Sequence, residues 1–75
     1  MSAAFVPLLP DILQQIEQAV HARTGGRIQG LRISVDDGCL VLSGQTTTYY
    51  NKQLVTRAVR DTVEDIPFQN DVKVG

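Results

Sequence analysis

The chain has 75 residues, 43% hydrophobic and 20% charged, a length that buries only about 60% of its unfolded surface and leaves no room for a large enclosed cavity. Seven Lys and Arg against eight Asp and Glu give a formal net charge of −1, which weighs against non-specific nucleic-acid binding, since that rests on excess positive charge. One cysteine, Cys39, and one histidine, His21, exclude an intramolecular disulfide and a multi-cysteine zinc site.

Residues 1–9 read as an N-terminal lead-in, with Phe5, Val6, Leu8 and Leu9 able to pack on a core. This stretch has no positive n-region, and Pro7 and Pro10 interrupt its apolar run. It therefore reads as neither a signal peptide nor a transmembrane helix, and the chain taken as complete is expected in the cytoplasm.

A single domain is expected over residues 10–75. Ile12, Leu13, Ile16 and Val20 recur at helical spacing, with Asp11 placed to cap and Gln14 at the capping-box position. Gly25-Gly26 supplies a left-handed stop, so the spacing predicts a first helix over about Pro10 to Thr24. The period then falls to two. Leu31, Ile33 and Val35 alternate with Arg32 and Ser34 as a half-buried strand. Asp36-Asp37-Gly38 is a hairpin signal. Cys39 to Ser43 returns as a second strand, with Leu40 and Leu42 on one face and Gly44 as its end.

A second helix is expected from about Thr48 to Glu64, capped by Thr47 or Thr48. Leu54, Val55, Ala58, Val59 and Thr62 share its apolar side. Asp65-Ile66-Pro67 stops it. Phe68, Val72 and Val74 then alternate with Gln69, Asp71 and Lys73 as a third strand. Asn70 falls on the inward parity, as a bulge or as a buried amide that needs its hydrogen bonds. The order α-β-β-α-β predicts an α+β domain: a three-stranded sheet with two helices packed on one face. A right-handed crossover makes the third strand parallel to the second if they are neighbours, while the strand order itself stays open.

The run Leu31 to Gly44, with Gly38 in its turn and Ser43-Gly44 at its end, resembles the hairpin of the BON domain family. Val55, Ala58 and Val59 are similar to the family's following helix, and Asn70-Asp71-Val72-Lys73-Val74 to its closing strand. The resemblance spans about Ile12 to Val74. The chain departs from it at Asp65-Ile66-Pro67-Phe68, where the family has a Gly-Val step. The resemblance implies a non-catalytic module that binds phospholipid or makes protein contacts, without a cofactor.

The residues themselves point the same way. Cys39 and His21 have no third group at an informative spacing, and Cys39 follows two aspartates rather than a helix N-terminus or a cation. No catalytic residue and no metal ligand is therefore assigned. Asp36-Asp37 lacks the further ligands of a calcium loop and reads as a turn. Gly25 to Gly30 lacks the Gly-Lys-Ser/Thr of a P-loop and the glycine spacing of a KH clamp. The segment reads by default as a flexible helix-to-strand linker, with Arg23, Arg27 and Arg32 around it as a secondary candidate anion-binding loop. Tyr49, Gln53, Arg57 and Arg60 line one exposed stripe of the second helix. Tyr and Arg are enriched in binding hot spots. The stripe is the leading binding candidate, and the open sheet face is the second. The expected function is an interaction module for another protein or for its own copy. Peripheral binding to an anionic membrane is the alternative, with KH-like nucleic-acid binding ranked below both.

Overall fold

The computed structural model describes residues 10–75, so the lead-in and its packing lie outside the described residues. Its elements are α1 (Pro10–Thr24), β1 (Gln29–Asp36), β2 (Cys39–Thr46), α2 (Tyr49–Thr62) and β3 (Phe68–Val74). The sheet order is β1-β2-β3. β1 pairs antiparallel with β2, and β2 pairs parallel with β3. The predicted α+β layout is the one observed, and the crossover through α2 makes β2 the central strand.

α1 begins at Pro10, so Asp11 sits inside its first turn and is not the cap. There its carboxylate still favours the helix dipole. The helix ends as expected. Gly25 turns left-handed at a φ of 63°, and the N–H of Gly26 donates to the carbonyl of His21 at 3.2 Å. Between β1 and β2 a two-residue turn has Asp37 at φ 55° and Gly38 at φ 79°, the primed geometry that suits strand twist. α2 starts one residue later than expected. Thr48 is its cap, and its hydroxyl accepts the N–H of Asn51 at 3.1 Å. The helix stops at Thr62, short of Glu64.

Register puts Leu31, Ile33 and Val35, Leu40 and Leu42, and Phe68, Asn70 and Val72 on one sheet face. Both helices contribute to the core on that face. Ile16, Val20, Leu40, Leu42, Val55, Ala58, Val59 and Val72 are fully buried in a single cluster with Ile28. The opposite face carries Arg32, Ser34, Cys39, Val41, Ser43, Gln69, Asp71 and Lys73.

Two corrections come from one place. β2 does not end at Gly44 but runs on to Thr46. The Gly25–Gly30 segment is no loose linker, because Ile28 is buried in the core and the Arg27 carbonyl accepts the Thr46 hydroxyl at 2.9 Å. A β-bulge links the two facts. Between paired positions Gln29 and Arg32, two residues of β1 oppose the single residue Gly44. Gly30, at φ 64°, takes the bulge. The extra residue shifts the parity, so both Ile28 and Leu31 reach the core side. Gly44 has no room for a side chain. An added Cβ would stand 2.9 Å from Ile28 Cγ2 and 3.1 Å from the Gln29 carbonyl oxygen, at a φ of 155°.

Two amides fasten α2 to the rest. Asn70 is half-buried rather than fully buried, and it sits in an unbroken register, so it is a hydrogen-bonded amide and not a bulge. Its Nδ2 donates to the Lys52 carbonyl at 2.9 Å and to Thr56 Oγ1 at 3.0 Å. Its Oδ1 accepts the N–H of Val72 at 3.1 Å. Asn51, not expected inside, is buried and donates to Thr46 Oγ1 at 3.0 Å. Among the described residues, every buried side-chain nitrogen and oxygen has a partner. The connection to β3 passes through Asp65 at φ 64°, a left-handed position that Asp tolerates better than most residues.

Two stability tests follow from these contacts. Gly44→Ala should cost about 3 kcal/mol in urea denaturation, through strained backbone and a clash with the bulge. Gly38→Ala, where nothing lies within 4 Å of the added Cβ, should cost only about 1 kcal/mol. Asn70→Ala should lose about 2 kcal/mol by stranding the Val72 N–H and emptying the contact to α2. An equal loss for both glycine variants would show that the close approach at Gly44 is unimportant.

Candidate functional site

Helix α2 presents the stripe expected of it. Val55, Ala58 and Val59 are buried, which turns Tyr49, Gln53, Arg57 and Arg60 to solvent. Tyr49 is 62% exposed, a large fraction for an aromatic ring. Tyr50 lies outside the core as well, at 68%. With Thr56, the four stripe residues line one open groove of 420 Å³.

A second groove adjoins it. Tyr49 and Lys52 of α2 face residues Asn70 to Val74 of β3 across an open space of 650 Å³. Tyr49 belongs to both grooves. Together they carry the cations Lys52, Arg57, Arg60 and Lys73. Among the described residues the one carboxylate lining them, Asp71, accepts the Gln69 amide through both oxygens, at 3.0 and 3.1 Å. Sequence spacing points to the stripe but not to Lys52 and Lys73. Their place is set by Asn70, which binds the backbone of Lys52 and fixes which side of α2 overhangs β3.

The arginines of the first linker do not converge. Arg23, in the last turn of α1, forms an ion pair with Asp61 of α2. Arg27 is exposed in the loop and contributes its carbonyl to Thr46. Arg32 stands on the open sheet face opposite Ser43. Helices occupy the other face, so Arg23 and Arg32 belong to different sides of the domain.

Cys39 and His21 are separated in the same way. Cys39 is half-buried on the open face, its thiol directed to the Leu40 carbonyl at 3.6 Å. His21 is on α1, where its ring fills the space over Gly26. An added Cβ there would come within 3.0 Å of its Cε1. Among the described residues no three His, Cys, Asp or Glu side chains gather as metal ligands, and no helix is long and apolar enough to cross a membrane.

No family model, curated protein or solved structure matches this chain.

The Arg23–Asp61 pair offers a direct check on the linker arginines. Its side chains are 38% and 58% exposed, so solvent screens the attraction. A double-mutant cycle of Arg23→Ala and Asp61→Ala should give a coupling below about 1 kcal/mol. A larger coupling would mark the pair as a structural clamp.

Proposed function

We propose that this chain is a non-catalytic, BON-like interaction module that holds another protein on the exposed side of α2. The observation that carries this reading is the convergence of Tyr49, Gln53, Arg57 and Arg60 on one groove, with the adjoining groove extending it past Lys52 and Lys73. Tyr offers area with little rotamer freedom to lose, and Arg offers forked donors for carboxylates. The helix beneath is rigid, since its cap, its core side and Asn70 all fix it. The separation of Cys39 from His21 favours binding over catalysis.

Affinity capture from lysate of the source cells tests the reading. The wild-type domain should retain a partner that the Tyr49→Ala/Arg57→Ala variant holds at least about tenfold more weakly. Identical capture by both proteins would remove α2 from the account.

A second reading is peripheral binding to anionic phospholipid. Its support is the same cluster of Lys52, Arg57, Arg60 and Lys73 around Tyr49. Each basic residue near a charged membrane surface contributes about 1 kcal/mol. Co-sedimentation with phosphatidylserine vesicles at low salt should then be strong and should vanish in a Lys52→Glu/Arg57→Glu variant. No sedimentation with acidic vesicles would sink the lipid reading and leave the protein one standing. Nucleic-acid binding ranks below both, because the chain lacks a KH-type glycine clamp and a positive net charge.

A further inference from the structure

We infer that a second copy of this chain pairs antiparallel with the outer edge of β1, unpaired among the described residues, joining two three-stranded sheets into one of six strands. The two-residue turn closes on the Asp36–Cys39 pair, which exchanges both of its hydrogen bonds. Asp36, Ser34 and Arg32 therefore spend their backbone groups on β2. Ile33 and Val35 aim theirs away from β2, and among the described residues β1 is an edge strand.

The two edges of the sheet are not alike. At β3 the Val72 N–H is already taken by Asn70 Oδ1, and Tyr49 and Lys52 of α2 wall that side. The β1 edge is apolar beneath. Leu31 and Ile33 line an open groove with Leu13, Gln14 and Glu17 of α1, and Val35 is 41% exposed.

Charge names the occupant. On the outer face of β1, Arg32 and Asp36 are both exposed and stand symmetrically about Ser34. A two-fold axis through Ser34 brings Arg32 of each copy opposite Asp36 of the other, so the complementarity is satisfied twice. Such an isologous contact needs a self-complementary patch, and this spacing provides one. The same axis sets Ile33 against Val35 of the second copy. Both turn their backbone groups away from β2, so each pair exchanges two hydrogen bonds. Shifting the axis to Ile33 sets Arg32 against Ser34 and Asp36 against Gly30, and both ion pairs are lost. The dimer uses a surface separate from α2 and stands or falls independently of the function proposed above.

Sedimentation equilibrium of the wild-type protein should show a monomer–dimer equilibrium. Arg32→Asp and Asp36→Arg should each weaken it by about tenfold, through two repulsive pairs per dimer. The double swap should restore it. In a Cys39→Ser background, Ser34→Cys should form an intermolecular disulfide on mild oxidation. The register places opposed Cα atoms at about 4.5 Å, within disulfide range. Arg32→Cys should not. A monomer at every concentration reached would overturn the inference, as would a dimer indifferent to the single reversals or a swap that restores nothing. If a reversal disturbs folding, seen as lost amide dispersion by NMR, the disulfide test with Ser34→Cys decides alone. Its failure rejects the register.

Discussion

The position of α2 is fixed by directional bonds from two asparagines, and the arrangement of its exposed side depends on them. Apolar contact with Leu40, Leu42 and Val72 holds the helix down, but burial alone is non-directional and lets a helix rotate or slide. Asn70 removes that freedom on one side by gripping the Lys52 carbonyl and Thr56. Asn51 removes it at the start of the helix through Thr46, whose hydroxyl in turn holds the Arg27 carbonyl. One relay thus joins the α1–β1 segment, the end of β2 and the first turn of α2. A core of this size has few contacts to spare, so such hydrogen-bonded amides specify one arrangement among several of similar apolar content.

Much of this was legible in the residues. The 3.6 and 2.0 periods locate five elements, with every boundary but the end of β2 within two residues, because each element buries one face. Gly25-Gly26 and Asp37-Gly38 mark their turns by backbone chemistry that needs no tertiary information. The parity argument also exposes Asn70 as a residue needing an explanation. Sequence alone leaves its partners open, because they come from α2. The misplaced end of β2 has the same origin. A glycine after Ser43 looks like a strand end, whereas here it lets the β1 bulge pass close by. That use of Gly44 is visible only when both strands are seen together.

The candidate surface was legible in part. Tyr49, Gln53, Arg57 and Arg60 follow from helical spacing, since the buried side dictates the exposed one. Lys52 and Lys73 come from elements distant in sequence, and only the crossover makes them neighbours. The linker arginines illustrate the reverse error. Closeness along the chain suggests one anion site, yet α1 and the sheet carry Arg23 and Arg32 to different sides. The near-zero net charge conceals this sorting, with cations gathered over the α2–β3 side and Asp61 paired away.

The parallel pairing of β3 bears on the order in which the domain assembles. β1 and β2 meet across a two-residue turn, so their hairpin closes locally and on a microsecond scale of about 1–10 μs. β3 reaches β2 only after all of α2 has been threaded between them, and that longer closure must precede any reward from its contacts. Asn70 sits in this late strand, so its bonds to α2 form late, whereas Asn51 reaches Thr46 without β3. The rate-limiting barrier should therefore lie in docking β3. Until then the groove between α2 and β3 does not exist.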